Sequence, residues 1–579
     1  MPDTIFNLAD ENWIRVMGQD CGIREVSLTD ALVHAHVYKG LAGEMETQNV
    51  ALLRLLIALA HTVFTRVNTC GEEDPVDSRE GAVERWKELM ENGKFPEQPV
   101  REYLRKWHDR FFLIHPSRPF YQVPEAGGGT PYSAAKLNGE VSKSGNKERL
   151  FSSVAGEGET GMTFPEGARW LLFINGFDDC AAKQKDKSEG KRQSTVAWLG
   201  SLGLVTACGE NLFETILLNM TMLAADEELW EGDDLPVWEL PEACSKERRT
   251  IDMPRDLAGL MTLQSRRILL KRENDRITGY SVLVGDAFPR ENAFDEPMTL
   301  WRKQEDPKTK VIAYIPRRHD RARQIWRDFG TMMSTENGGR LPGVIKWCGL
   351  LRSEGILPYK RYITFRFSCV RYDKKSSSIT DSFSDALSFH ADLLQRAGQA
   401  WVRAITEEIE NIENAAETIG TLARNLTIAA GLVGTSLKSE DQNRLNGISQ
   451  LAKEQMYLSV DMPFRDWLLL IDPSQEVDER MELVRSWRKQ AWKTVMNLGR
   501  QMVDESGENA FIGRMVTEKN RKIKKITHYS SPEAFSWFRR AIGEIYIYTK
   551  KEENRQNGRV ESRCRISADR STAVPDPGR

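Results

Sequence analysis

The sequence predicts an α+β fold. A large mixed α/β N-terminal domain over 1–380 is followed by a C-terminal four-helix bundle over 381–548 and a tail over 549–579 expected to be disordered. Two observations carry this. Between 196 and 330, short apolar runs alternate with turn residues, as in ITGYSVLVG, PMTLWRK and VIAYIP, the pattern of strands in a mixed domain. After Tyr372 the period changes. Leu393, Leu394, Ala397, Trp401, Ala404, Ile405 and Ile409 recur at three-to-four spacing within 384–431, which lines one face of a helix.

Taken in order, IFNLADENWIRV (5–16) reads as a short strand with a turn. ETQNVALLRLLIALAHTVFTR (46–66) reads as a buried helix and 82–94 as a more polar one. The helical pattern of 101–123 ends at Pro116 and Pro119, because proline lacks the N–H a helix needs. Residues 124–161 are rich in glycine and polar residues, and a loop of that length in a compact protein is usually functional or disordered. A second loop, 178–195, carries five Lys/Arg against four acids. ETILLNM (214–220) is grouped with the short apolar runs of the β-rich stretch. Helices over 384–431, 440–458, 475–505 and 531–546 complete the predicted bundle. The tail loses all periodicity.

Composition narrows the class. The 579 residues contain 81 Lys/Arg and 84 Asp/Glu, a net charge of −3. That excludes a uniformly basic nucleic-acid coat and leaves room for local basic patches. The eight cysteines are scattered with no C-x-x-C pair, so neither a disulfide framework nor a zinc site of the usual spacing is expected. No signal peptide or membrane span is expected, and the expected compartment is the cytoplasm.

Known catalytic patterns are missing. There is no phosphate-cradling loop, dinucleotide fingerprint, G-x-S-x-G or H-E-x-x-H. Two His-Asp pairs, His108-Asp109 and His319-Asp320, match the core of metal-dependent phosphohydrolase sites. Both sit beside arginines, whose fixed charge opposes a metal cation. No metal, cofactor or catalytic residue is expected. Three basic clusters say more: PRRHDRARQIWR (316–327), QSRRILLKR (264–272) and FIGRMVTEKNRKIKKIT (511–527). Such density suits phosphate contact, although a solvated face or an acidic protein partner would fit too.

Several segments, in order, resemble one family. They are FNLADENWIRV, ALLRLLIALAH, WHDRFFLIHPSRPFYQV, KLNGEVSKSGNKERLF, WLGSLGL, DDLPVWE, LMTLQSRRILL and SPEAFSWFRRAIGEIY. Together they resemble the CasA family, the large subunit of the type I-E CRISPR Cascade surveillance complex, over about residues 5–547. The resemblance implies a non-catalytic subunit in the family's fold, an α/β domain with a helical bundle. It further implies recognition of the protospacer-adjacent motif (PAM) in double-stranded DNA, a start to target unwinding and R-loop formation, and docking of a helicase-nuclease. The implied partners are guide RNA, double-stranded target DNA, other Cascade subunits and the helicase-nuclease recruited in trans, with no membrane.

The resemblance also implies site residues. Phe151, with Asn146 and Lys147, matches the loop that contacts the guide 5′ end. The glycine loop that meets the motif duplex matches SEGKRQST, where only Gly190 remains and Lys191, Arg192 and Gln193 are the candidate contacts. The wedge hairpin matches VRYDKKSSSITDSF (370–383), but its glutamine is replaced by Lys374, Lys375 and Ser376. A lysine donates hydrogen bonds and cannot accept them, so motif preference is expected to differ. Arg276 stands where the family has a lysine finger, with Arg272 as the fallback. Lys519, Arg521, Lys522, Lys524 and Lys525 are candidates for a DNA strand path in the bundle. The alternatives from other classes are a metal-dependent nuclease subunit and a purely structural scaffold of a ribonucleoprotein.

Overall fold

The structure, a computed structural model, describes residues 4–138, 161–181, 195–230, 235–241, 254–286, 295–333, 339–359, 361–434, 439–520 and 523–546, with backbone alone at 518–520 and 523–525. The chain divides into two compact units, Met1–Arg396 and Ala397–Arg579.

The first unit is built around α1 (Glu46–Phe64). Nearly every residue of this helix is buried, Leu52, Leu56, Ile57 and Leu59 completely. Its length and composition would suffice to cross a membrane, but here it is the core helix, and each buried Leu or Ile contributes roughly 1.5–3 kcal/mol. α2 (Arg79–Asn92) starts at Ser78, whose side chain accepts from Gly81 N–H, and stops at Gly93, where φ is +68°. α3 (Glu97–Lys106) ends well short of Pro116. Phe112–Ile114 instead pairs with Ile5–Asn7 as β5 and β1, because the sheet partner from the distant N-terminus outweighs the local helical spacing.

Antiparallel sheets surround this core. Ile14–Met17 (β2) lies between Ile23–Val26 (β3) and Gly40–Leu41 (β4). Thr130–Ser133 (β6) and Arg266–Glu273 (β8) flank Arg276–Val284 (β9). Leu204–Cys208 (β7) and Ile379–His390 (β13) flank Tyr362–Tyr372 (β12). Trp301–Glu305 (β10) pairs with Ile312–Pro316 (β11). Two further helices matter for the site, α4 (Phe164–Phe177) and α5 (Leu212–Asn219). α5 corrects the grouping of ETILLNM with the β-rich runs. Asn211 caps the segment by accepting from Glu214 N–H, and Leu212, Phe213, Ile216 and Leu217 are buried at helical spacing.

The second unit contains α6 (Gln399–Ala429), α7 (Ser439–Leu469), α8 (Val477–Asp504) and α9 (Ser531–Ile545). α6 packs against the other three. Two expected boundaries move. The helix expected from 384 begins at Gln399, because Ile379–His390 is a strand paired residue by residue with β12, as in Ile363↔Phe389 and Phe365↔Leu387. The helix expected to stop at 458 runs to Leu469 through Pro463. Beyond that proline, Phe464 meets Trp487 of α8 edge-on and Trp467 stacks on it, at centroid separations of 5.3 and 5.4 Å. That burial offsets the roughly 3 kcal/mol a mid-helix proline costs.

The basic run 511–527 was expected within a helical bundle. It forms instead a two-stranded ribbon, β14 (Arg514–Asn520) and β15 (Ile523–Tyr529), with Lys519 opposite Lys524 and Glu518 opposite Lys525. Met515 is exposed, Val516 buried and Thr517 half-buried, the side-to-side alternation of a strand.

Candidate nucleic-acid interface

The hairpin expected at 370–383 is present as the end of β12, a turn over 373–378 and the start of β13. Asp373 builds the turn. Its N–H donates to Ser378 O at 3.0 Å, and its carbonyl accepts from Ser376 N–H at 2.9 Å. Its carboxylate accepts from Ser377 N–H and Oγ–H at 2.7 and 2.8 Å. Ser376 sits at φ +54°, in the left-handed region. Lys374 and Lys375 are thereby presented at the tip, both exposed, and no carboxylate among the described residues pairs with them.

The tip is clamped from beneath. Cys180 N–H donates to Ser376 O at 2.8 Å, and Cys180 Sγ–H reaches Lys375 O at 3.0 Å. Tyr372 Oη–H donates to Phe177 O, the last carbonyl of α4, at 2.6 Å. Arg318 stands 5.0 Å from the Tyr372 ring centroid, within cation–π range. Burial holds the Tyr372 hydroxyl far above the usual phenol range, so it stays a donor at any working pH.

Asp178 and Asp179, directly after α4, are buried. Arg266 of β8 donates Nε–H to Asp178 Oδ2 at 2.5 Å, and Nη2–H to Asp179 O at 3.0 Å and Thr195 O at 2.6 Å. Lys136 Nζ meets Asp179 Oδ2 at 2.6 Å. Ala197 N–H closes the clamp on Asp178 O at 2.9 Å. The loop containing Gly190, Lys191, Arg192 and Gln193 lies outside the described residues. Its two stems, ending at Ala181 and Thr195, are held together here, beside the hairpin tip. Burial and the two aspartates push the nearby Tyr132 hydroxyl up to about 12.

Asn146, Lys147 and Phe151 also lie outside the described residues. That segment leaves at Asn138, after the short helix Ala134–Leu137 that follows β6. It returns at Gly161, whose carbonyl accepts from Arg276 Nη2–H at 2.8 Å. Met162 and Ile277 exchange both backbone hydrogen bonds at 3.0 and 2.9 Å. Arg276 is therefore placed at a stem of that segment, in contact with Gly161, rather than extended toward solvent. Arg272 is on β8, beyond a bulge at Lys271/Arg272. Of the ribbon residues, Lys519, Lys524 and Lys525 are described by backbone alone, and Arg521 and Lys522 lie outside the described residues.

Two basic clusters are not the surfaces the sequence suggested. Arg266 and Arg267 of 264–272 are 2% and 0% exposed and pair with buried Asp178 and Asp286. In 316–327, Arg317 and Arg323 pair with buried Asp328 at 2.6 and 3.1 Å, and Arg321 pairs with Asp381 on the hairpin. A buried arginine needs a carboxylate; Asp178 and Asp381 lie 88 and 60 residues from their arginines, while Asp286 and Asp328 lie nearer in the chain. The Arg266 clamp is the arrangement that sequence reasoning missed. Its signal was the adjacent Asp178-Asp179 following an apolar helix.

The histidines of both His-Asp dipeptides are engaged by groups of the fold. His319 is buried, with Nε2–H donating to Leu204 O at 2.9 Å, and burial lowers it to about 4. His108 Nε2 meets Asp10 Oδ2 at 2.8 Å. No group of three or more His, Cys, Asp or Glu among the described residues is placed to hold a metal.

The chain matches the family model for CRISPR-associated protein Cse1 over residues 7–498. It belongs to that family. Cse1, also called CasA, is the large subunit of the type I-E Cascade surveillance complex, the family the sequence segments resemble. The CasA/Cse1 protein of Thermus thermophilus is 26% identical over 541 residues, covering 90% of this chain and 99% of that protein. The solved Cse1 of Thermobifida fusca is 27% identical, with a TM-score of 0.76 over 95% of this chain and 98% of that one. The Cse1 of Acidimicrobium ferrooxidans is 23% identical, with a TM-score of 0.74 over 95% and 100%. A chain of a CRISPR RNA-guided surveillance complex has a TM-score of 0.63 at 14% identity, over 87% of this chain and 100% of that one. These Cse1 structures share the mixed helix-and-sheet architecture with its C-terminal helices.

Proposed function

We propose that this Cse1 chain is the non-catalytic PAM reader of its Cascade complex. One observation carries the reading. The Lys374–Lys375 tip and both stems of the Gly190–Gln193 loop are fastened to the same residues, Asp178 to Cys180. Two elements that the resemblance assigns to the motif duplex are therefore rooted at one place. The exposed lysines donate to phosphates and to minor-groove acceptors, whose pattern is degenerate. Cations at the tip supply grip and a wedge against the opened pair, while guide pairing reads the sequence.

The Asn146–Phe151 segment leaves from and returns to the β6–β9 sheet, and in this reading it contacts the guide 5′ end. The basic ribbon of the second unit, with Lys519, Arg521, Lys522, Lys524 and Lys525, lines a DNA strand path. Other Cascade subunits, guide RNA, double-stranded DNA and a helicase-nuclease docked in trans are the partners, and the cytoplasm is the compartment. The buried His319, spent on Leu204 O, argues against the nuclease reading.

The test is binding of the reconstituted complex to duplexes with a randomised flanking motif at two salt concentrations. Lys374→Ala/Lys375→Ala should lose motif-dependent binding and flatten the salt dependence. Binding that follows guide complementarity alone, unchanged in the variant, would move this chain to the scaffold reading.

A further inference from the structure

A polar cavity of about 310 Å³ lies in the first unit, bordered by Arg110, Arg118, Phe120, Glu125, Trp238 and Gln264 among others. Its volume is that of a small-molecule site. Two of its walls come from WHDRFFLIHPSRPFYQV, a segment that the DNA-reading role leaves without a task.

Its two glutamines differ. Gln122 is fully used: Nε2–H donates to Leu113 O at 2.7 Å, and Oε1 accepts from Leu270 N–H at 2.9 Å. Gln264 is 1% exposed. Its backbone carbonyl accepts from Arg267 Nη1–H and Asp286 N–H, yet neither Oε1 nor Nε2 of its side chain has a partner among the described residues. A buried unpaired carboxamide costs free energy that a ligand with a matching donor and acceptor recovers.

The cavity is also cationic. Arg110 donates to Leu240 O at 2.8 Å and pairs with no carboxylate among the described residues. Burial and the neighbouring Arg118 charge both lower its pKa. Arg118 is exposed, and its backbone N–H is fixed by His115 Nδ1 at 2.9 Å. Two arginines held close, with no ion pair to either among the described residues, favour an anion. Glu125 adds one carboxylate, which disfavours a bare anion and suits a ligand that also carries hydroxyls. Trp238, fixed through Nε1–H to Tyr103 Oη at 2.7 Å, and Phe120 add flat apolar surface.

We propose that this cavity binds one nucleoside 5′-phosphate unit, with Arg110 and Arg118 on the phosphate, Glu125 on the ribose hydroxyls and the Gln264 carboxamide on the base edge. An amide offers one donor and one acceptor side by side, the pair that a base edge such as adenine N6/N7 matches. The unit comes either from a free nucleotide or from single-stranded RNA. The site is independent of the PAM reading, so each stands or falls alone.

The test is titration of the purified full chain with AMP, CMP, GMP, UMP, adenosine and inorganic phosphate, followed by calorimetry and tryptophan fluorescence. At least one nucleotide should saturate a single site, with adenosine or phosphate alone about tenfold weaker or more. Arg118→Ala, at an exposed position, should weaken that nucleotide about tenfold, and Gln264→Met should level the preference among bases. A reconstituted complex separates the sources. Exclusion of the mononucleotide by bound guide RNA assigns the site to RNA, and unaffected binding assigns it to a free nucleotide. Absence of saturable binding by all four nucleotides and by a short single-stranded RNA would overturn the proposal. So would binding indifferent to Arg118→Ala.

Discussion

The Tyr372 hydroxyl donates to the Phe177 carbonyl at 2.6 Å, joining the last residue of β12 to the last residue of α4. Gly200 lies against the same hydroxyl, where any Cβ would overlap Tyr372 Oη. The hairpin's base is thus fixed by one hydrogen bond and one close approach.

Tyr372→Phe leaves the Phe177 carbonyl unpaired in a buried place and should destabilise the first unit by about 1–2 kcal/mol. Gly200→Ala should destabilise on its own, because the added methyl collides with the hydroxyl. The double variant should be less destabilised than the two single effects summed, since Phe removes the colliding oxygen. Chemical denaturation of the four proteins closes this cycle, and strict additivity would refute the contact.

Arg266→Lys should loosen the stems of the Gly190–Gln193 loop. A lysine cannot hold Asp178, Asp179 O and Thr195 O in one plane as the guanidinium does. The expected result is a lower melting temperature together with weaker motif-dependent DNA binding, while guide-dependent binding without the motif is kept. Equal loss of both would show a purely structural role.

Arg54 and Glu296 form a buried pair at 2.7 Å, with side chains 3% and 0% exposed. Glu296 also accepts from Trp198 Nε1–H at 3.0 Å and Met298 N–H at 3.1 Å. Removing one partner strands the other charge, so Arg54→Met should cost about 3–5 kcal/mol. Loss of a cooperative transition or a comparable fall in denaturation midpoint would fit, and a change under about 1 kcal/mol would not.

Acid should destabilise the first unit through its buried histidines. His319 falls from 6.5 to about 4 on folding because burial disfavours its charged form, and burial lowers His61 and His36 in the same direction. The unfolded chain binds these protons more readily. The His319 contribution is therefore complete above about pH 6.5 and is lost as pH falls toward 4. His319→Gln keeps a donor for Leu204 O and should show a shallower loss of stability between pH 7 and 5. An identical pH profile in the two proteins would exclude His319 as a contributor.

The sequence by itself determined the α+β class, four C-terminal helices and the buried helix read at 46–66, because each rests on a local period, while the hairpin at 370–383 came from the family resemblance. The eight ordered segments determined the family. Tertiary structure decided the rest. Ile379–His390 became a strand and 458–469 stayed helical because distant partners, β12 and Trp487, supplied the burial. Likewise, Arg266 and Arg267 look the same in sequence as surface arginines, yet they are buried because folding sets Asp178, 88 residues away, and Asp286, just past the paired strand β9, beside them. A cluster's charge can be counted along the chain, but whether that charge faces water or a carboxylate depends on chain segments brought together only by folding.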